Sequence, residues 1–340
     1  MGKTALLVFI PTLGRELHPV RDVVSLLKLI RLIRKESPQI VHTHKSKAGV
    51  IGRLAARWCR VPVVIHTYHG HVLHGYFGTL KTHFFINIER WMAKWTDHLI
   101  AVSPKVKEDL VRCRIASPEK IKVVYLGLDL EKFVKKDRNQ GTLRHELGLG
   151  TGIPLIGIVA RLVPIKEIPL FLDAAQRLLS KAPTVQFAVV GDGELRARLE
   201  ELTVRMKIKE KVHFLGFRDD LENIYPDLDV LVLTSSNEGS PVSLIEGLAS
   251  GCAVVATNVG GVSDVVHPEV SGLLVSPEGK TRDEIATQLA ERMYELIVDP
   301  SRRKALGEYG RKDVLQRFSI DRLVRDLSVL YKQTLSQKVL

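Results

Sequence analysis

Two carboxylates, Glu238 and Glu246, sit in the stretch NEGSPVSLIEG (237–247), on either side of a Gly-Ser-Pro turn. The apolar run DVLVLTS (229–235) precedes them. An ionised carboxylate only accepts hydrogen bonds, so the pair suits a ligand rich in hydroxyls. Ser240 has the chemistry of an N-cap and Pro241 fits a first helical position, which predicts a helix over 241–250 closed by Gly251. The start of that helix offers free amides and a positive dipole end to an anion. Gly239 leaves room for a phosphate to approach the backbone. A ligand with phosphates in the middle and polyhydroxyl rings at both ends matches all three features, and a nucleotide sugar is such a ligand. The same glutamates also fit duller roles, a solvated loop acid and a helix-surface acid. A glycoside hydrolase pair is a further alternative, with the two acids facing each other across one bond.

The elements that must hold this stretch alternate along the chain. Apolar runs at 5–11, 39–44, 61–67, 97–103 and 121–127 predict strands in the first half. Runs at 154–160, 184–191, 211–216, 229–235, 252–257 and 271–276 do so in the second. Between them lie stretches with apolar residues at helical spacing, such as 22–36, and helix-rich sequence fills the chain from Arg282 onward. Near-continuous apolar strands alternating with helices imply parallel sheets covered on both faces. The polar, glycine-rich segment 135–152 reads as a linker. The expected fold is therefore α/β, with two Rossmann-like domains facing across a cleft and ligands at the carboxyl ends of the strands.

Composition sets outer limits. The 340 residues suffice for two domains. Three widely spaced cysteines make no disulfide framework, so reduced thiols in a cytoplasm are expected. No apolar run approaches a membrane span. Residues 1–150 carry 26 Lys and Arg against 12 Asp and Glu, and residues 151–340 carry 24 against 26. A basic half beside a near-neutral half points to an anionic membrane surface or a phosphorylated ligand. A solvated basic surface is the plainer reading of the same charge. No zinc finger, RNP-like stretch or basic-aromatic groove supports a nucleic-acid partner. No G-x-G-x-x-G follows a strand, which argues against a nicotinamide dehydrogenase. His66, His69, His71 and His74 crowd one stretch without a cysteine or carboxylate, which makes a poor zinc set.

NEGSPVSLIEG resembles the Glu-(seven residues)-Glu motif of the retaining glycosyltransferases of family four, which have the GT-B fold. The stretches IVHTHKSKAGVIGRLAA, HTYHGH, AVSPKVKEDL, VVYLGLDLEKF, GIVARLVPIKE, VVGDGEL, VHFLGFRDD and ATNVGGVSDVV match that family in order. The resemblance implies a UDP- or GDP-sugar donor and a glycan or lipid-linked acceptor. It implies that Glu238 holds the donor sugar's hydroxyls, that Glu246 binds the ribose, and that amides around Gly239 and Ser240 cradle the pyrophosphate. Arg161 and Lys166 would neutralise the leaving diphosphate, on which charge builds as the glycosidic bond breaks. His69 would lie near the donor sugar and acceptor. Gly191 and Arg218 would belong to the donor site, with the stretch after Gly216 framing the base. No cofactor and no metal is expected, since the cationic pair takes the metal's place.

The resemblance also sets expectations for the domains: an acceptor-side domain over 1–148 with a returning helix at about 320–338, and a donor domain over 149–319. The protein would be cytoplasmic, or peripheral on the inner face of the membrane. A nucleotide-binding remnant without turnover and a sugar-nucleotide epimerase on the same fold are the alternatives.

Two departures stand out. Glu167 follows the lysine where the family usually has glycine. The chain also opens at about the family's third or fourth element, without the usual first strand and glycine-rich loop. Either Ala5 to Ile10 fills that place as a buried strand, or the first domain is incomplete, as in a fragment or a shortened gene product. Without such a strand the sheet keeps an unpaired edge, and impaired activity is the expectation.

Overall fold

All but one of the predicted apolar runs become strands of two parallel sheets. The computed structural model describes residues 6–14, 16, 18–69, 79–135 and 141–339. Contacts divide the chain into two units, Met1–Val124 with Arg325–Leu340, and Tyr125–Val324.

The first unit contains α1 (Pro19–Glu36), β1 (Ile40–His44), α2 (Ser46–Trp58), β2 (Val63–Tyr68), α3 (Thr79–Lys94), β3 (His98–Ala101), α4 (Pro104–Arg112) and β4 (Ile121–Val123). The sheet order is β1-β2-β3-β4, all parallel. Every crossover steps the same way. Crossovers are right-handed, so α2, α3 and α4 share one face of the sheet. Beneath α2, Gly49 lets the helix lie against His66, because a Cβ there would meet the ring at 2.3 Å.

The exception among the predicted strands is the first. Residues 6–10 form no strand, and Leu7 and Phe9 are 94% and 83% exposed. Among the described residues β1 pairs with β2 alone. The run has the composition of a strand, but a strand also needs a neighbour to satisfy its backbone, and none is formed here.

The second unit continues with α5 (Glu131–Val134), α6 (Thr142–Glu146), β5 (Leu155–Val159), α7 (Ile168–Leu179), β6 (Gln186–Val190), α8 (Arg196–Arg205), β7 (Val212–Gly216) and α9 (Leu221–Ile224). It is completed by β8 (Val230–Leu233), α10 (Val242–Ala249), β9 (Ala253–Thr257), α11 (Val262–Val265), β10 (Leu273–Val275), α12 (Arg282–Val298) and α13 (Pro300–Phe318). The last helix, α14 (Ile320–Val339), begins in this unit and ends in the first. The sheet order is β10-β9-β8-β5-β6-β7. Two apolar cores cover its faces, one built around Phe171 and Phe187 and the other around Tyr225 and Phe318. The order reverses between β5 and β8: the chain runs outward from β5 to β7, then returns beside β5 and runs outward the other way. Such a switch point leaves a crevice at the carboxyl ends of the two strands.

The described part of the segment expected as a linker packs on the second unit. Asp227 is fully buried and accepts hydrogen bonds from the amides of Gly141, Leu143 and Arg144 at 2.8, 2.7 and 3.2 Å. Arg144 is buried too and donates to Asp229 at 2.6 Å. Those bonds draw the division between the units forward to Val124, ahead of the expected 148.

Candidate active site

The β5 and β8 ends carry the cation and the acid that the sequence singled out. After β5 the chain makes a short turn at Pro164–Lys166. After β8 it runs through Thr234–Ser240 into α10. The two loops are sewn together: the Ser236 amide donates to the Ile165 carbonyl at 2.9 Å, and the Thr234 hydroxyl to that of Lys166 at 3.0 Å. Across this seam Lys166 Nζ donates to Glu238 Oε1 at 2.5 Å, and Ser235 Oγ donates to the same oxygen at 2.6 Å. Glu238 is only 9% exposed. A third loop presses on its backbone, for the Gly261 amide donates to the Glu238 carbonyl at 2.9 Å. Gly260 stands at φ +52°, and a Cβ there would lie 2.0 Å from that carbonyl oxygen. Glu238 is thus held rigidly by loops from β5, β8 and β9.

Helix α10 begins one residue later than expected. Pro241 is its N-cap and Ser240 makes no capping bond; the helix ends at Ala249 with Ser250 as C-cap. Proline takes the cap because its ψ of 91° is extended, outside the helical range. The amides of Leu244 and Ile245 both turn back to the Pro241 carbonyl, so those of Val242 and Ser243 stay open to a ligand. Gly239 and Ser240 line this approach half-buried. At the other end Gly251 (φ +77°) closes the helix in a Schellman arrangement, with Cys252 donating to Gly247 and Gly251 to Leu248.

Glu246 lies one helical turn into α10, where Tyr225 Oη donates to its Oε2 at 3.0 Å. Burial raises the Glu246 carboxyl above its ordinary range, against the opposing pull of Tyr225 and Lys132. Arg161 is exposed and makes no ion pair or side-chain hydrogen bond among the described residues. It shares the stretch after β5 with Lys166 and is open to an anion. Gly191 (φ +131°) is fixed by close approach, since a Cβ would meet the Ala160 carbonyl oxygen at 1.9 Å. That contact presses the β6 loop onto the β5 loop. Arg218 is already engaged: it donates to both oxygens of Asp220 at 2.7 and 2.9 Å and to Glu146 at 2.7 Å. Its guanidinium therefore holds the 216–220 turn, and Asp220 is held down to about 2 by it.

Glu167 is accounted for by its backbone. It stands at φ +46°, ψ 41°, the left-handed region that favours glycine. Its carboxylate accepts from Arg282 at 3.0 Å, so its charge is matched by a cation other than Lys166.

In the first unit His69 is exposed at the end of β2, and its Nε2 shares a hydrogen bond with His44 Nδ1 at 2.9 Å. His42 lies beneath His44, ring centroids 4.3 Å apart, and hydrogen-bonds Tyr331 of α14 at 2.5 Å and Thr67 at 2.7 Å. Burial lowers all three imidazoles, His42 to about 3. His66 faces inward against Thr43 at 2.8 Å. His71 and His74 lie outside the described residues. No group of three or more His, Cys, Asp or Glu is placed to hold a metal among the described residues.

The sequence reading missed Ser235, Tyr225 and Gly260. Only the Gly260-Gly261 pair after a predicted strand carried a signal, that of a close backbone approach.

Two parallel-sheet units, with an acid, an ammonium and open helix-start amides at the switch point of the second, define a GT-B glycosyltransferase. The chain belongs to the family "Glycosyl transferases group 1", which residues 139–313 match, while residues 5–132 match "Glycosyltransferase Family 4". It is similar to UDP-Gal:alpha-D-GlcNAc-diphosphoundecaprenol alpha-1,3-galactosyltransferase of Escherichia coli, at 36% identity over 275 residues, 78% of this chain and 70% of that protein. It is also similar to the capsular polysaccharide biosynthesis glycosyltransferase CapM of Staphylococcus aureus, at 29% identity over 95% of this chain and 84% of the relative. Among solved structures, HepE of Anabaena in complex with UDP-glucose superposes with a TM-score of 0.78 at 22% identity, covering 93% of this chain and 84% of its own. That likeness establishes the fold.

Proposed function

We propose that this glycosyltransferase moves a hexose from a UDP-sugar to a sugar hydroxyl of a diphospholipid-linked acceptor, with retention at the anomeric carbon. The observation that carries the reading is the Lys166–Glu238 contact of 2.5 Å, set beside the open amides of α10 at the β5/β8 switch point. One end of that arrangement attracts a diphosphate and the other accepts hydroxyls. The E. coli relative is named for a UDP-galactose donor and a diphosphoundecaprenol acceptor, which favours UDP over GDP and a lipid-linked acceptor over a free glycan.

In this reading Lys166, Arg161 and the amides of Val242 and Ser243 hold the diphosphate, and Glu238 orients the sugar. Glu246, steadied by Tyr225, takes the ribose. Gly191 keeps the β6 loop clear of the donor, and the backbone after Gly216 frames the base. His69 is assigned a role at the reacting sugar. The bond between the anomeric carbon and the diphosphate oxygen breaks as the acceptor oxygen bonds to that carbon on the same face. The acceptor's proton passes to the leaving phosphate, whose growing charge the two cations stabilise. The cations take the place of a metal, so turnover is expected to survive EDTA.

The test is transfer from UDP-galactose, UDP-glucose, UDP-N-acetylglucosamine and GDP-mannose to a short-chain GlcNAc-diphospholipid, with the product's anomeric configuration read by NMR. Transfer from a UDP-sugar with retention, lost in Glu238→Ala, supports the reading. An inverted product, or undiminished turnover in Glu238→Ala, refutes it.

A further inference from the structure

The first unit carries a second concentration of chemistry, away from the strand ends that hold the histidines. All three tryptophans of the chain, Trp58, Trp91 and Trp95, lie at the C-terminal ends of α2 and α3. These helices run side by side on one face of the sheet. Trp58 is 70% exposed and Trp91 48%. The Trp91 and Trp95 rings are 4.0 Å apart, and the Arg57 guanidinium lies over Trp95 at 5.6 Å. Phe84, two turns before Trp91 on α3, is 63% exposed. Apolar side chains left exposed this close together call for a partner.

The charge around the rings has one sign. α2 contains no Asp or Glu, and the one acid of α3, Glu89, is buried against Arg53. Arg57, Arg60 and Lys94 are exposed among the rings. Asp97, just beyond α3, is paired with Lys338 at 2.8 Å. No helix among the described residues is long and apolar enough to cross a membrane.

We propose that this face of α2 and α3 docks on an anionic lipid bilayer. Tryptophan is the side chain that settles at the headgroup level, with an apolar body and a polar N–H. Arginine and lysine between the rings reach the lipid phosphates while their stems lie on apolar surface. The exposed rings stand beside cations at the ends of the two helices, with Arg57 over Trp95 and Lys94 following Trp91, which suits a fluid headgroup layer better than the packed core of a protein interface. The proposal is independent of which sugar is transferred.

The tryptophans themselves report on it. Full-length protein is titrated with vesicles of phosphatidylcholine, with and without phosphatidylglycerol, and indole emission is followed. A blue shift is expected with phosphatidylglycerol vesicles, lost with phosphatidylcholine alone and weakened by salt. Arg57→Gln with Lys94→Gln should weaken binding roughly ten- to thirtyfold, at about 1 kcal/mol per cation. Trp58→Ser with Trp91→Ser should weaken vesicle flotation at least as much, with the melting temperature as the control for folding. Three results would overturn the proposal: no shift at low salt, binding by either double variant as tight as that of the unaltered chain, or a lipid-free dimer whose indoles are already shielded from acrylamide, which would make the face an interface between two copies.

Discussion

The sheet of the second unit reverses its order at β5 and β8, whereas that of the first runs straight from β1 to β4 among the described strands. The reversal explains why Lys166 and Glu238, 72 residues apart in sequence, touch: two loops leave adjacent strand ends in opposite directions and meet over the gap. In the first unit the polar cluster comes from simple register instead. His44 pairs with Thr67 across β1 and β2, which puts His69 two residues further along within reach of His44. One unit builds its site from an ion pair gripped by glycine-rich loops, the other from neutral imidazoles stacked on a strand edge.

Each unit also has its own buried ion pair, and breaking these separates the units most strongly. Arg53 donates to Glu89 at 2.7 Å in the first unit, and Arg144 to Asp229 at 2.6 Å in the second. Arg53→Ala strands a buried carboxylate and should cost about 3–5 kcal/mol. Hydrogen exchange should show β2 and α3 opening while UDP still protects the second unit. Arg144→Ala should reverse the pattern. Loss of protection in both units from either change would show that they do not open separately.

Activity should divide the two sites next. Glu238→Ala is expected to lower kcat/KM roughly 10²–10³-fold, on the scale of one lost transition-state contact. Comparable losses from Glu238→Ala and His44→Ala would erase the asymmetry drawn above. Gly260→Ala should cost about 2 kcal/mol and displace Glu238, since its Cβ would overlap the Glu238 carbonyl. Thermal melting reads the first effect and UDP-sugar turnover the second.

Acid should undo the first unit before the second. His42 titrates near 3 when folded and near 6.5 when unfolded, because burial disfavours its charged form. The unfolded chain binds the extra proton, so this stability is complete above about pH 6.5 and falls away as the pH drops toward 3. Asp220 acts in the same sense over a lower window: its folded value of about 2, set by Arg218, gives stability that is complete above the ordinary carboxylate range and is lost as the pH falls toward 2. Hydrogen exchange at roughly pH 5, midway through the imidazole window, should find the first unit weakened and the second intact. The smallest effect belongs to Glu167→Gly, which relieves a left-handed φ at the loss of a surface ion pair. It should stabilise by about 0–1 kcal/mol in denaturant melts.

The two units were not equally legible in the sequence. Each strand of the second was visible as an apolar run, because strands covered on both faces carry few polar residues. Lys166, Glu238 and Glu246 were marked by a spaced motif. The Leu6–Ile10 run failed as a strand because pairing is a property of neighbours, which composition does not report. Ser235 and Tyr225 were invisible for a related reason: each acts on a partner brought near by topology, at no fixed sequence spacing. Arg218 showed its charge but gave no sign that Asp220 and Glu146 occupy it.

The central claim is that the crevice at the β5/β8 switch point takes the diphosphate of a sugar nucleotide. A crystal structure of the full chain with UDP-galactose tests it. Diphosphate oxygens are expected within hydrogen-bond reach of Lys166 Nζ, Arg161 and the Val242 and Ser243 amides, with Glu238 on a galactose hydroxyl. A diphosphate bound elsewhere, with Lys166 and Glu238 still paired only to each other, would contradict it.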